Sequence, residues 1–207
     1  MNNKHALKIE QDSDATSPRD NDNLGTLACW HRRYTLGDLQ PQEAPMDYEE
    51  ALPKDSLVLP VYMIDHSGIA LSLKDFGDPW DSGQVGIYHM SPSQLIEEYG
   101  EDTPEIRERA TSAIKAEIEE YSEYVNGNCW GFVIEDENGN TVDSCWGFIG
   151  SDIFDNGMIE HIDEEYYPLL EEACDKAGVS FSTKKLEEYE ARCAAYRKKQ
   201  RVGPASP

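Results

Sequence analysis

A repeated tetrapeptide, Cys-Trp-Gly-Phe, stands on either side of Asn138-Gly139 in this chain. Its two copies are residues 129–132 and 145–148. Asn-Gly between two β-rich runs is the strongest short-range hairpin signal, because both residues accept the positive φ of a two-residue turn. Such a turn would place Trp130 opposite Gly147 and Trp146 opposite Gly131. We therefore expect a core hairpin in which each indole covers a glycine; a ligand-stacking platform is the alternative.

The other elements follow from apolar periodicity and from turn residues. Strands are expected at 57–64, 69–73 and 85–90, and Pro60 marks the first of them as an edge strand or a bulge. Apolar residues at spacings of three and four predict a helix of about six turns from Thr103-Pro104 to Val125. Further helices are expected from Ser91-Pro92 to near Gly100, at about 163–177 and at 183–199. This order indicates an α+β fold, with an antiparallel sheet of four or five strands and the long helix packed on one face.

Composition divides the chain into three expected parts. Residues 1–23 are polar and nearly free of aromatic or branched side chains, which predicts a flexible arm. Residues 24–180 are expected to form a single α+β domain, since the chain is 39% hydrophobic and 10% aromatic. Residues 181–207 are expected to form a C-terminal helix and a basic tail.

The charge balance excludes several classes of partner. The chain has 41 Asp and Glu against 18 Lys and Arg, a net charge of −23, so direct binding to nucleic acid or to an anionic membrane is not expected. Its 5 cysteines show no CxxC spacing, which favours a reducing compartment. With neither a signal-peptide pattern nor an apolar run long enough to span a bilayer, a cytoplasmic protein is expected. The oligomeric state stays open.

The 60 residues between Lys115 and Lys176 contain 17 Asp or Glu and no Lys or Arg. An ordinary surface mixes both signs, so this stretch predicts a surface that meets a basic, nucleic-acid-binding protein. Halophilic adaptation or a solubility coat is the simpler explanation. The candidate partner-binding carboxylates are Glu117, Glu119, Glu120, Glu123, Asp136, Glu137, Asp152, Asp155, Glu160, Asp163, Glu164 and Glu165.

A second group of polar residues falls in predicted loops. Asp65 and His66 end the first strand, and Asp81 lies in the turn-rich segment before the strand at 85–90. These three could serve a metal-dependent or hydrolytic enzyme, although an Asp-His-Ser-Gly turn is usually structural. The residues indicate no resident cofactor or metal. The basic and aromatic segment 29–34 could bind a phosphate or a base, but its arginines are expected to pair with internal carboxylates.

Four blocks of the sequence resemble a family of small proteins carried by bacteriophages and mobile elements. They are residues 22–38 (DNLGTLACWHRRYTLGD), 59–69 (LPVYMIDHSGI), 79–86 (PWDSGQVG) and 143–148 (DSCWGF). The family has no established activity, so the resemblance transfers no catalytic residue. It implies a phage or mobile-element context, in which small acidic proteins often inhibit host defence by imitating DNA.

We therefore expect a non-enzymatic inhibitor of a nucleic-acid-handling host protein, such as a restriction or CRISPR effector. The enzyme based on Asp65, His66 and Asp81 is one alternative. A structural or regulatory phage protein is the other.

Overall fold

The structure is a computed structural model that describes residues 5–201, with side chains up to Lys199. The strands within this range are β1 (Ala6–Gln11), β2 (Thr26–Cys29), β3 (Leu57–Asp65), β4 (Ile69–Ser72), β5 (Ser82–Met90), β6 (Cys129–Glu135) and β7 (Thr141–Ile149). The α-helices are α1 (Pro45–Glu50), α2 (Pro92–Tyr99), α3 (Pro104–Val125), α4 (Leu170–Ala177) and α5 (Thr183–Arg201). Short 3-10 helices lie at Pro18–Asp20, Met158–His161 and Glu164–Leu169. Helices and antiparallel sheets together confirm the α+β class.

The chain divides into two compact units. We call Thr16–Gly127 the central unit, and the described residues up to Ala15 together with those from Asn128 onward the terminal unit. This division differs from the expected boundaries at 1–23, 24–180 and 181–207. The reason is that β1 pairs with β6, which joins the start of the chain to its later half.

The central unit is an antiparallel sheet with the long helix on one face. The strand order is β2-β5-β3-β4, and each neighbouring pair is antiparallel. Five side chains of α3 enter the core beside Leu27, Val61 and Leu71 of the sheet. Those five are Ile106, Ala110, Ile114, Ile118 and Tyr121. The expected packing of the long helix on a four-stranded sheet is therefore confirmed.

Local sequence sets the ends of α2 and α3 in this unit. The Ser91 hydroxyl accepts the backbone N–H of Gln94, whose side chain accepts the backbone N–H of Ser91, which is a capping box at the start of α2. Thr103 caps α3 by accepting the backbone N–H of Ile106. Gly100, at φ 85°, ends α2 in the left-handed region that favours glycine.

Pro60 lies in β3 beside a β-bulge, which falls between Val61 and Tyr62. The strand β4 pairs only with Tyr62–Asp65, so Pro60 lies in the half of β3 that pairs with β5 alone among the described strands. Both features fit the missing amide N–H of proline.

The terminal unit contains a three-stranded antiparallel sheet in the order β1-β6-β7. Leu7 and Ile9 of β1 are buried with Phe132 and Ile134 of β6 and with the segment 153–174. The expectation of a flexible arm over 1–23 is therefore wrong for Ala6–Gln11, because the apolar-polar alternation of these residues buries one side of a strand. Residues 1–4 lie outside the described residues.

The hairpin of β6 and β7 confirms half of the expected pairing. Trp146 lies over Gly131, where an added Cβ would overlap its ring. Trp130 instead pairs with Phe148, and nothing lies within 4 Å of the position of a Cβ on Gly147. Two irregularities in the ladder, one next to Gly131 and one next to Glu135, shift the register at both ends.

The turn of this hairpin is longer than expected. The N–H of Gly139 bonds to the carbonyl of Asp136 (3.0 Å) and the N–H of Asp136 to the carbonyl of Asn140 (2.9 Å). These bonds enclose a three-residue loop whose last member, Gly139, has φ 79°. This is the turn-plus-bulge alternative to a two-residue connection.

The helix expected at about 163–177 is broken into two parts. Glu164–Leu169 is a 3-10 helix with Pro168 inside it, and α4 begins only at Leu170. Proline has no N–H for an α-helical bond, which accounts for the tighter first part. The helix expected at 183–199 is confirmed as α5. Residues 202–207 of the expected basic tail lie outside the described residues. None of the described helices combines the length and the apolar character that a bilayer span requires.

Candidate functional site

Three chain segments meet at one edge of the four-stranded sheet. Both β2 and β3 pair antiparallel with β5, which lies between them. They therefore end at the edge where β5 begins. The segment after Cys29, the turn after Asp65 and the loop before Ser82 are brought together there. Sequence reasoning treated the basic segment 29–34 and the acidic loops as separate features, because strand order was not readable from either.

These segments line a cleft of about 250 Å³, which we call the tryptophan cleft. Its aromatic and charged lining consists of Trp30, His31, Arg33, Asp65, Trp80 and Asp81. Met63 and residues 82–85 complete its wall.

Asp65 is bound by groups from the neighbouring segment. Its carboxylate accepts hydrogen bonds from the Arg33 guanidinium and from the Tyr34 hydroxyl (3.1 Å). The same guanidinium lies over the Tyr34 ring, 5.4 Å from its centroid. The expectation that an arginine of segment 29–34 pairs with an internal carboxylate is confirmed for Arg33. Asp65 is thereby occupied by an ion pair of the chain itself.

His66 and Asp81 form a second pair of titratable side chains at the cleft. His66 Nδ1 lies 2.9 Å from an Oδ atom of Asp81, and the two side chains are 73% and 42% exposed. The turn that carries His66 includes Ser67 at φ 62°, a rare conformation for a non-glycine residue. A carboxylate that orients an imidazole is one element of a general base.

The two tryptophans of the cleft differ in how they are held. The Trp30 indole N–H donates to the carbonyl of Glu43 (2.9 Å), and its ring meets Tyr48 edge-on at 5.5 Å. Trp80 is 91% exposed, although its backbone is fixed. Asp78 Oδ1 accepts the backbone N–H groups of Asp81 (2.9 Å) and Trp80 (2.8 Å), which lowers the pKa of Asp78. The structure thus presents an indole to solvent on an ordered turn.

Glu117 is a correction to the partner-binding set. Its carboxylate accepts hydrogen bonds from Arg19 (3.0 Å), from the Leu24 amide (3.0 Å) and from the Tyr88 hydroxyl (2.5 Å). The Arg19 side chain is only 5% exposed and also pairs with Asp38 at 2.6 Å. Burial and the hydrogen bond to Glu117 raise the pKa of Tyr88. Glu117 therefore stabilises the central unit and does not belong to an exposed acidic surface.

The other candidates on α3 lie nearer to solvent. Glu119 is exposed and pairs with Lys115 at 2.5 Å. Glu120 is exposed, and Glu123 is half-buried. Of the four candidates on this helix, only Glu119 and Glu120 are therefore exposed.

The candidates in the hairpin turn have a structural role as well. Asp136 Oδ1 accepts the backbone N–H groups of Asn138 (2.8 Å) and Asn140 (2.9 Å), and the Asn140 side chain donates to Asp136 Oδ2 at 3.0 Å. Hydrogen bonds from the side chain and the backbone of Asn140 lower the pKa of Asp136 to about 2. The neighbouring Glu137 is exposed.

Three candidates of the terminal unit pair with cations from α5. Lys185 Nζ lies 2.9 Å from a carboxylate oxygen of both Asp152 and Asp155. Arg197 pairs with Glu164, which lowers the pKa of Glu164 through a hydrogen bond and through charge. Cations from outside the Lys- and Arg-free stretch thus neutralise part of its charge.

Three further candidates, Glu160, Asp163 and Glu165, are exposed. Within residues 5–199, no Lys or Arg nitrogen lies within 4.0 Å of their carboxylates. Glu171 and Asp175, which the sequence-based set did not include, share both properties. Two sequence signals together identify these residues. Both lie in the stretch without Lys or Arg, and both fall between apolar residues whose spacing predicts one buried face.

The part of the chain that the structure describes holds no cluster of three or more His, Cys, Asp or Glu side chains placed to bind a metal ion. No family model matches the chain, and neither the curated proteins nor the solved structures include a match. The functional argument therefore depends on the chain's own residues.

Proposed function

We propose that this protein is a non-enzymatic inhibitor, carried by a phage or mobile element, that acts in the host cytoplasm. Its target is a basic, nucleic-acid-handling defence protein of the restriction or CRISPR type. The inhibitor occupies the nucleic-acid-binding groove of that target with an acidic surface. The observation that carries this proposal is the segment 158–177, in which exposed carboxylates alternate with residues of a buried core.

The segment 158–177 is held in place by its apolar side. Its buried residues are Met158, Ile159, Ile162, Tyr166, Tyr167, Leu170, Ala173 and Cys174. The exposed acids between them are Glu160, Asp163, Glu164, Glu165, Glu171, Glu172 and Asp175. Carboxylates on an ordered scaffold lose little freedom on binding, so more of their attraction to a basic groove is retained. We call these seven carboxylates the acidic row.

The acidic row also resembles nucleic acid in the sign of its charge. Duplex DNA carries one negative charge per about 1.7 Å of axis, and a protein that binds it presents Lys and Arg against that array. In the acidic row, only Glu164 and Glu172 pair with a described cation, Arg197 and Lys176 respectively. A solubility coat would gain from interspersed cations, which this segment lacks before Lys176.

The test is displacement of DNA from a captured target. The tagged protein captures basic partners from host lysate at low salt, and a labelled duplex is then added to each purified partner. We expect the intact protein to compete with the duplex. The triple variant Glu160→Gln, Asp163→Asn, Glu165→Gln should compete at least about tenfold less well.

The matched control makes the same change of charge elsewhere. Glu97, Glu98 and Glu101 are exposed residues at and just beyond α2 in the central unit. Their exchange to Gln should leave competition within about twofold of the unchanged protein, since these residues do not belong to the acidic row and single exposed charges contribute little. Equal loss in both triple variants would show a net-charge effect and contradict the proposed surface.

The second candidate function is a hydrolytic enzyme, which the 2.9 Å pair of His66 and Asp81 favours. An enzyme of this kind needs His66 as its base, whereas the inhibitor does not. His66→Ala should therefore leave displacement of the duplex unchanged. Hydrolysis by the unchanged protein that His66→Ala abolishes, with an unchanged melting temperature, would favour the enzyme.

A further inference from the structure

We infer that the tryptophan cleft receives an arginine side chain from the basic partner. The inference deepens the proposed function and rests on it for the identity of the partner. The juxtaposition that supports it is Trp80 and Asp81 beside Trp30 and Asp65 in one cleft.

The cleft already binds one guanidinium, which belongs to the chain itself. Arg33 pairs with Asp65 and lies over the Tyr34 ring. A carboxylate beside an aromatic face is the arrangement that a planar guanidinium prefers, because it can donate in its plane and stack through its face. The Arg33 site shows that this edge of the sheet suits that group.

The Trp80 side of the cleft also combines a carboxylate with an aromatic ring, and both side chains are accessible to solvent. Asp81 is 42% exposed, and the side chain that it contacts is the His66 imidazole. Trp80, the residue before it, is 91% exposed. Trp is the best aromatic partner for a cation, and Trp, Tyr and Arg are the residues most often found at the energetic centre of protein interfaces. A second guanidinium can therefore donate to Asp81 and stack on Trp80.

Charge decides against an anionic ligand. The lining contains two carboxylates, those of Asp65 and Asp81, against the single guanidinium of Arg33. A phosphate that approached Arg33 would have to displace Asp65 and face Asp81. The same negative charge attracts an arginine side chain.

The experiment uses the whole protein and a defined probe. The indole N–H signals of the 4 tryptophans are followed by ¹⁵N NMR during addition of acetyl-Gly-Arg-Gly-amide. We expect saturable shifts at Trp30 and Trp80, which line the cleft, while Trp130 and Trp146 in the terminal unit serve as internal references. The same peptide with citrulline, which has the shape of arginine without its charge, should bind about tenfold more weakly.

Two variants test the named side chains. Asp81→Asn and Trp80→Ala should each weaken binding of the arginine peptide by about three- to tenfold. The control Asp75→Asn removes one charge from the same loop, and its side-chain oxygen can still accept the N–H of Gly77. It should leave peptide affinity unchanged.

Three results would overturn the arginine pocket. They are absence of saturable shifts at both cleft indoles, equal binding of the citrulline peptide, and stronger shifts with adenosine monophosphate than with the arginine peptide. The outcome is separable from that of the proposed function, since peptide binding is measured without a target. If the peptide binds but the protein does not displace DNA from its target, the proposed inhibitor function is contradicted and the arginine pocket is supported.

Discussion

The indole of Trp146 lies across the ladder from Gly131 and occupies the space that a side chain would need there. A Cβ on Gly131 would overlap the Cε3 and Cδ2 atoms of the ring. Gly131→Ala should therefore destabilise the protein by about 1 to 3 kcal/mol through overpacking. The shift in the midpoint of urea unfolding measures this loss.

Removing the indole provides the control for that prediction. In a Trp146→Ala background the Gly131→Ala exchange should be neutral or stabilising, because glycine weakens the interior of a strand. If Gly131→Ala costs the same in both backgrounds, the indole is not the cause.

Gly147 of the second tetrapeptide is constrained for a different reason. Its φ is 89°, which disfavours any residue with a Cβ, and nothing lies within 4 Å of the position that a Cβ would take. Gly147→Ala should cost about 1 to 2 kcal/mol through backbone strain, and Trp146→Ala should not relieve it. Relief in a double-mutant cycle would instead indicate a steric origin.

The hairpin illustrates which features the sequence determined. The expected register holds in the middle of the ladder, where Phe132 pairs with Cys145, because the three-residue loop and the irregularity next to Glu135 offset each other. Trp130 departs from the expected register because the irregularity next to Gly131 shifts the pairing by one more residue. Bulges depend on twist and on packing across the sheet, which local residue preferences do not encode.

The ion pair of Arg19 and Glu117 gives a second stability prediction. Glu117→Gln removes the charge that accepts from Arg19 and Tyr88, and should cost about 1 to 3 kcal/mol, the range for hydrogen bonds to charged groups. The exposed Glu120, three residues along the same helix, is the matched control. Glu120→Gln should change stability by less than about 0.5 kcal/mol. Equal effects in urea unfolding would contradict the internal role of Glu117.

The sequence alone indicates part of the internal role of Glu117. Glu117 lies three residues after Ile114 and four before Tyr121, on the stripe of α3 that faces the core. Its partner was not readable, because Arg19 follows a polar segment with no apolar periodicity. The pairing joins residues 98 positions apart. Contacts of this kind depend on tertiary structure.

The carboxyl group of Asp136 allows a prediction about pH. Hydrogen bonds from Asn140 hold its pKa at about 2, whereas an aspartate in an unfolded chain titrates near about 3.9. Since the folded pKa is the lower one, the stability that this carboxylate contributes is complete above about pH 4 and is lost as the pH falls toward about 2. The ¹³C signal of the Asp136 carboxyl carbon should show the low midpoint directly.

Variants at the two asparagines separate the causes of this shift. Asn140→Ala removes the side-chain donor and should move the midpoint upward. Asn138→Ala keeps its main contribution, the backbone N–H that donates to Asp136, and should move the midpoint less. An Asp136 midpoint near about 4 in the unchanged protein would contradict the turn geometry described above.

The tryptophan cleft shows the limit of sequence reasoning for the candidate site. Asp65, His66 and Asp81 were identified as one group from their positions at strand ends, and His66 and Asp81 do meet. The contribution of Trp30 and Arg33 required the strand order β2-β5-β3, which makes β2 and β3 end at one edge. The pairing of β2 with β5 joins residues about 60 positions apart, such as Cys29 and Gly86, and has no local signature.

The last prediction concerns the kinetics of binding to a captured basic target. Attraction between the acidic row and the target should accelerate encounter, so the association rate should fall steeply as salt rises and screening sets in over about 8 Å. Glu160→Gln, Asp163→Asn, Glu165→Gln should lower the association rate and flatten its dependence on salt, while dissociation changes less. The control exchanges at Glu97, Glu98 and Glu101 should leave the slope of the plot nearly unchanged. Surface plasmon resonance at several salt concentrations measures both rates. An association rate insensitive to salt would remove the acidic row from the mechanism, because a surface that imitates nucleic acid must act through long-range charge.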